Sequence, residues 1–466
     1  MDGTGKHELR AGGPPRSAGA GLALGQLVLV LLGAIALLWP AFVNGYPLVF
    51  KDSAWYLSPF AGGGVRHPGR TIGYSLFTGL ALRSGSLWSI VVAQAFVTSA
   101  LLVRVAAVAA KRPGDRIAFP AAALLAVLVL SGAAKYVSWV MADVTTSWIF
   151  LAGALWMFSG RRVDRAIAIA VASLAVLGHN THVPLAIGTG GAVAVVAWLV
   201  PATRTARRSA ATLLVVSLLS VPWAMGVNAV TTGAPSVFRG ADSFLMYRLI
   251  DTGVVLDTLD SYCGERHWMS CRHWNEFAGH AHEAEEWFLF DPSSPFNTEL
   301  GAWGGDEQHE IVVHAFRCCW DRIARTTLSG AWQQFWRIDS SDGLTQAATI
   351  PISVFLKRHQ PGAVPALTNS RQGRGEPVRT TLLPAPEAGL HALLIVMAAA
   401  IALLGWRSQR RRGAYLIASV LFFLLTNALV CAFGSATHDR YQGRVAWLLP
   451  FAVAVSAGWL REDRDD

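Results

Sequence analysis

Residues 21–43 read GLALGQLVLVLLGAIALLWPAFV, 23 consecutive positions without a charged side chain. Crossing the hydrocarbon core of a bilayer takes about 20 apolar residues in an α-helix, so this stretch is long enough to span. It also exceeds the roughly 7–15 residues of a signal-peptide core, and no small-x-small cleavage site follows it, so it is expected to stay as an anchor. Further apolar runs follow at 87–110, 117–134, 143–159, 166–178, 183–200, 210–229, 386–406, 414–433 and 443–460. Hydrophobic residues make up 53% of the 466 and charged residues only 15%. So few charges do not cover the surface of a soluble chain of this length. The expected fold is therefore an all-α polytopic membrane protein with about ten transmembrane helices, each needing ~20 residues.

Charge sorts the loops into two sets. Residues 230–385 carry 13 Lys and Arg against 18 Asp and Glu, leaving 26 basic and 12 acidic residues for the rest of the chain. With the N-terminus inside, every inside loop is basic: Lys6 to Arg16, Lys111 to Arg116, Arg161 to Arg165, Arg204 to Arg208, Arg407 to Arg412, and Arg461 with Arg464. These inside segments hold 18 Lys and Arg, whereas the short outside loops hold 7. Merging 166–200 into one helix would put the later basic loops on the wrong face, so the run is read as two spans broken at His179-Asn180-Thr181-His182. Both termini are then cytoplasmic, in a bacterial inner membrane. A pI of 9.6 suits nucleic acid, but basic residues confined to inter-helix loops serve orientation, and no nucleic-acid partner is expected.

The organisation that follows is a membrane module over 1–229 with a long first external loop, an extracytoplasmic domain over 230–385, and C-terminal membrane helices over 386–466. Within the domain, Ile311, Ala315, Phe316, Trp320, Ile323, Trp332, Phe335 and Trp336 recur at near-helical spacing, which predicts a pair of amphipathic helices over 310–337 packing on the membrane module. Residues 360–386, with five prolines and little periodicity, read as an exposed strap returning to the bilayer. Cys263, Cys271, Cys318 and Cys319 lie in the external segment, an oxidising place, while Cys431 sits in a span. One or two disulfides are expected, and four cysteines allow three full pairings.

Of the 12 acids outside 230–385, eight lie on inside loops or tails. Glu387 opens the eighth span, where an acid complements the helix dipole. Asp52, Asp143 and Asp439 remain, each near the external end of a span. An acid at the mouth of a helical bundle is costly unless it is hydrated, paired or used. For Asp143 and Asp439, pairing with a nearby Arg or Lys is the competing structural reading. The Asp52 loop carries further signs of a site: Arg66, His67 and Arg70 stand among Gly62 to Gly64, Pro68 and Gly69. Glycines let backbone approach a ligand, and closely spaced Arg and His grip an anionic group. Arg440 and Arg444, four apart, would present both guanidinium groups from one helix face to the external membrane surface. That suits a lipid phosphate, with interfacial snorkelling as the alternative. His179 and His182 end a span at the same face, as substrate ligands or as interfacial residues. The segment from His309 to His314 resembles a zinc-protease motif, but its histidines are five apart and fall on different helix faces. His267, His273, His280 and His282 with Glu283, Glu285 and Glu286 read as a solvated polar face before a metal site.

Taken in order and by sidedness, these features resemble the GT-C superfamily of integral-membrane glycosyltransferases, in particular lipid A aminoarabinose transferases and protein O-mannosyltransferases. The resemblance is carried by Asp52 with Tyr56, by Arg70-Thr71-Ile72-Gly73-Tyr74-Ser75-Leu76-Phe77, by Met141-Ala142-Asp143, and by Arg440-Tyr441 before Leu448-Leu449-Pro450. It implies transfer of a sugar from a polyprenyl-phosphate-linked donor to a lipid, glycan or protein acceptor at the external membrane face. Asp52 would be the general base and Asp143 would orient the acceptor or help hold a metal. Arg70, Arg440, Arg444 and His67 would bind the donor phosphate, with Tyr56, Arg66, His179, His182 and Tyr441 lining the pocket or its acceptor side. No cofactor is implied beyond a divalent metal ion, and Lys51 stands where members with an acidic pair carry a second acid. The rival classes are a transporter or lipid flippase, for which Arg104 is the main charge within a span, and an acyltransferase using His179 or His182.

Overall fold

The computed structural model describes residues 16–60, 67, 69–199, 204–281, 284–301, 303, 305–407 and 411–462. Among these the regular secondary structure is helical, and the extended pairing is a parallel bridge between Leu48 and Trp139. Six helical segments are long and apolar enough to cross a membrane: Ala20–Asn44, Leu87–Ala109, Arg207–Thr232, Glu387–Arg407, Arg412–Gly434 and Asp439–Arg461. The chain is thus an all-α polytopic membrane protein by helix length and composition, and these segments coincide with six of the ten apolar runs.

The first crossing joins α1 (Arg16–Leu37) to α2 (Trp39–Asn44), which ends at Gly45 with φ +80°, a left-handed conformation suited to glycine. The first external loop holds α3 (Ser53–Leu57) and α4 (Gly73–Ala81). Ser86 caps α5 (Leu87–Ala109) by accepting the Trp88 N–H at 3.3 Å. The 23 residues of α5 extend about 35 Å at ~1.5 Å per residue, enough for the ~30 Å hydrocarbon core. Then come α6 (Asp115–Val129), α7 (Ala133–Ser138), α8 (Asp143–Phe158), α9 (Arg162–Val176) and α10 (His182–Leu199). The runs expected at 117–134, 143–159, 166–178 and 183–200 fall in α6, α8, α9 and α10, which have only 15 to 18 residues. The break expected around His179 is present, since α9 and α10 are separate helices.

Lipid-facing and interior helices differ in the way their composition demands. Leu24, Leu27, Leu31, Leu32 and Ile35 of α1 are exposed, as they would be to hydrocarbon, whereas α8 is buried on nearly every face from Asp143 to Leu155. After α11 (Arg204–Leu218) and α12 (Ser220–Thr232) the chain enters the segment expected to form a domain. It contains α13 (Ala241–Asp251), α14 (Val254–Tyr262), α15 (Trp274–Gly279), α16 (Pro295–Thr298), α17 (Asp306–Cys318), α18 (Trp320–Trp336), α19 (Ile350–His359) and α20 (Val364–Thr368). Residues from Met246 to Ile323 form their own hydrophobic core, but Phe335, Ile352, Leu356, Leu367 and Val378 join the core of the membrane helices. Only the first half of 230–385 therefore buries apolar surface independently. Cys263 pairs with Cys271, and Cys318 with its neighbour Cys319 at the junction of α17 and α18, the two amphipathic helices foreseen from the aromatic spacing.

The strap is exposed along most of its length, as expected, but Leu367, Ser370, Gln372, Val378 and Thr380 are buried and pin it to the protein. Gln372 is fully buried, its Oε1 accepts the Val49 N–H at 3.1 Å, and its Nε2 donates to the Val49 carbonyl at 2.8 Å. One side-chain amide thus pairs a backbone unit of the first external loop as a neighbouring strand would. Asn44 completes the tie by accepting the Gln372 N–H at 2.8 Å. The chain ends with α21 (Glu387–Arg407), α22 (Arg411–Gly434), α23 (Asp439–Ala446) and α24 (Leu448–Glu462).

Candidate active site

The bridge at Leu48 places the first loop. Leu48 N–H donates to Ser138 O at 3.0 Å, Val140 N–H donates to Leu48 O at 2.9 Å, and Ser53 Oγ donates to Val140 O at 2.7 Å. Asp52 is thereby fixed beside the segment that leads into Asp143. Gln94, a polar residue inside the apolar α5, holds the same junction: its Nε2 donates to Val137 O at 2.8 Å and Trp139 O at 2.9 Å. Its Oε1 accepts the Tyr74 hydroxyl, which joins the α4 segment to the junction.

Arg70 reaches Asp52 through Nη2–Oδ2 at 2.6 Å, with both side chains largely buried. Burial disfavours the Arg70 charge, but Asp52 beside it outweighs that and holds the guanidinium pKa above its usual value. Gly73 sets the approach of this segment, donating its N–H to Leu177 O at 2.9 Å. A Cβ at residue 73 would lie 2.4 Å from the Leu177 carbonyl carbon. Gly73→Ala is accordingly expected to destabilise the protein by about 1–3 kcal/mol, the usual cost of overpacking. A thermal melt in detergent with an unchanged midpoint would contradict the close approach.

Asp143 faces Arg444 through Oδ1–Nη1 at 3.5 Å, and both are buried. Arg444 also donates from Nη2 to Thr181 Oγ1 at 3.1 Å and Asn427 Oδ1 at 3.2 Å, so it clamps α8, the turn leading into α10, and α22 together. Arg440, one turn earlier on α23, lies over the Phe50 ring at 4.4 Å and donates to the Tyr441 hydroxyl at 3.1 Å. Arg440 and Arg444 do share one helix, as their spacing implied, but both point into protein and not to the membrane surface. Tyr56 is buried edge-on to Tyr74 at 5.1 Å, and burial pushes its hydroxyl pKa up within the field of Arg70, Asp52, Asp143 and Arg440. The structure therefore brings residues from both ends of the chain into one charged cluster.

His67 packs edge-on against Trp55 at 4.7 Å and Trp303 at 4.9 Å, and its Nδ1 accepts the Gly69 N–H at 3.1 Å. Burial, then the Arg70 charge, lower its pKa from 6.5 to about 4, so it is neutral at pH 7 and meets an anion only as a neutral donor. Because the unfolded chain binds this proton more tightly, the stability His67 confers is complete above about pH 6.5 and is lost as pH falls toward 4. Melting points between pH 6.5 and 4 are expected to fall more steeply for the native protein than for His67→Gln, and parallel slopes would contradict this. Arg66 lies outside the described residues.

His182 is fully buried, with Nε2 2.8 Å from Thr146 Oγ1 and Nδ1 donating to Ala175 O at 2.6 Å. It is a tie between helices. His179 Nδ1 accepts from the Thr181 N–H at 3.2 Å and lies 3.0 Å from Thr181 Oγ1, the same hydroxyl that meets Arg444, so it stands behind the cluster. Asp439 takes the bland role, paired with Arg337 at 3.1 Å. Arg104 is held by Asp164 through two contacts of 2.8 Å, a closed pair far along α5.

Lys135 was not singled out by sequence. It is fully buried, donates to Asp342 O at 3.1 Å and lies over the Trp139 ring at 3.6 Å. Burial lowers its pKa to about 7 even though Asp143 and Asp342 oppose the shift. Gln94, Asn427 and Lys135 share one overlooked signal: polar side chains in or beside apolar helices are expensive and rarely idle.

Around the acids, Arg70 Nε, Arg444 Nε, Tyr136 OH and Trp139 Nε1 are buried and make no hydrogen bond among the described residues. All four can donate, and a buried donor without an acceptor calls for an explanation. Such a set suits an anion. It does not suit a divalent cation: each acid already faces a guanidinium, and no group of three His, Cys, Asp or Glu side chains capable of holding a metal occurs among the described residues. In the external histidine group, His273 is bound to Glu276 at 3.1 Å and Glu299 at 3.2 Å, while His282 and Glu283 lie outside the described residues. No family model, curated protein or solved structure matches the chain.

Proposed function

We propose that the protein transfers a sugar from a polyprenyl-phosphate-linked donor to a hydroxyl or amine of an acceptor at the external face of a bacterial inner membrane. The observation that carries this reading is the two buried acids, Asp52 and Asp143, beside Arg70, Arg440, Arg444 and hydrogen-bond donors that lack acceptors among the described residues. The acceptor oxygen or nitrogen attacks the anomeric carbon as the bond to the lipid phosphate breaks, and Asp52 takes the acceptor's proton. The leaving phosphate carries away the electron pair, and Arg70 and Arg440 stabilise its charge. The Asp52–Arg70 pair is the resting form, since phosphate competes for Arg70 and leaves the carboxylate to act as a base. Arg444 is a positioning residue that orients Asp143 toward the acceptor. The guanidinium facing each acid disfavours a metal, and no step requires one.

The same reading gives the chain ten crossings with both termini cytoplasmic. The short helices α6, α8, α9 and α10 cross with help from adjoining turns, because irregular backbone at membrane depth is tolerated where protein surrounds it. The test is release of polyprenyl phosphate from lipid-linked sugars by the protein in proteoliposomes. Acceptor-dependent release supports the proposal, and no release across a panel of lipid-linked sugars and acceptors rejects it.

A further inference from the structure

At the opposite end of the helical module from Asp52, a cavity of about 540 Å³ opens between α8, α10, α11 and α22. Its walls are apolar and small, formed by Phe150, Gly153, Ala154, Ala186, Leu213 and Leu416. Thr189 in the wall spends its hydroxyl on Leu185 O at 2.7 Å, while Ser209, Ser217, Ser419 and Tyr415 set a few polar groups among the apolar ones. A largely apolar hollow of this size, left unfilled, forfeits the contacts that close packing supplies. Inside a membrane module the medium that reaches it is hydrocarbon.

The mouth has the opposite character. Arg412, on the first turn of α22, lines the cavity and is exposed, and Arg207 and Arg208 on α11 are exposed nearby. Among the acids at this end, Asp164 on α9 is buried and engaged by Arg104 at 2.8 Å. An apolar slot with a cationic rim complements a molecule with a greasy chain and an anionic head.

We propose that this cavity binds one acyl chain of an anionic phospholipid from the leaflet at the basic end of the module, with its phosphate at Arg412. The site is independent of the Asp52 cluster and of glycosyl transfer. It gives the protein a structural lipid that fastens α10 and α11 to α22.

The test uses the full-length chain, stripped of lipid in mild detergent, offered equimolar phosphatidylglycerol and phosphatidylcholine, and weighed by native mass spectrometry. One phosphatidylglycerol is expected to be retained in preference by about tenfold, the ratio that ~1.4 kcal/mol produces. A Cβ at residue 153 would meet Leu213 Cδ1 at 3.7 Å, ordinary contact, so Gly153→Leu fills the hollow without a backbone clash. That variant is expected to lower retention about tenfold or more. Arg412→Glu, a change on the exposed rim that leaves the core intact, is expected to abolish the preference for the anionic lipid. The proposal is overturned by a monodisperse Gly153→Leu protein that keeps its lipid, by an Arg412→Glu protein with unaltered preference, or by a polyprenyl phosphate that displaces phosphatidylglycerol from the cavity.

Discussion

Asp52→Asn lowers sugar transfer by about 10²–10⁴, the range of general-base catalysis, while donor binding survives. Asparagine keeps the shape of the side chain and can still accept a hydrogen bond from Arg70, so the loop retains its place between Leu48 and Ser53. What it loses is the ability to take the acceptor's proton. Arg70→Lys separates the two parts of the pair: a single ammonium replaces a fork that meets both the carboxylate and a phosphate, so weaker donor binding is expected alongside slower turnover. Single-turnover rates measured with saturating donor distinguish these effects. An Asp52→Asn protein that folds normally and transfers at the native rate would remove the central residue of the proposed mechanism.

Arg444→Met destabilises the protein by about 3–5 kcal/mol, because removing one partner leaves a buried charge without compensation. The stranded group is Asp143, which is 2% exposed. Thr181 Oγ1 and Asn427 Oδ1 lose a charged donor in the same step. Adding Asp143→Asn is expected to recover a large part of the loss, since the double variant no longer buries an unpaired carboxylate. Thermal unfolding of the native protein, both single variants and the double variant measures the coupling. Equal effects of Arg444→Met with and without Asp143→Asn would show that the pair contributes nothing specific. The outcome bears on the fold whatever reaction the site performs.

Hydrophobic run length was enough to read the class of fold and the positions of six crossings, because a helix against lipid must be apolar along its whole length. The other four runs were harder to judge. Residues such as those of α8 face protein on all sides, and composition does not distinguish a short helix buried in a bundle from one that meets lipid. Clustering of Asp52, Arg70, Arg440 and Arg444 was foreseeable from their scarcity and sidedness. Their partners were not. Gln94, Asn427 and Gln372 act through backbone carbonyls and amides hundreds of positions away in the case of Gln372, and no local pattern encodes such a pairing. The inward aim of Arg440 and Arg444 also escaped the helical spacing, which gives a shared face but not what that face meets.

The amide of Gln372 finishes the backbone pairing of Val49, and Arg440 closes over Phe50. The Gln372 tie spans 323 positions of sequence, so the first loop waits until Gln372 and Arg440 have been synthesised. A nascent product halted before the strap has emerged holds Asp52 without its clasp, and synthesis itself thereby times when this corner of the molecule matures.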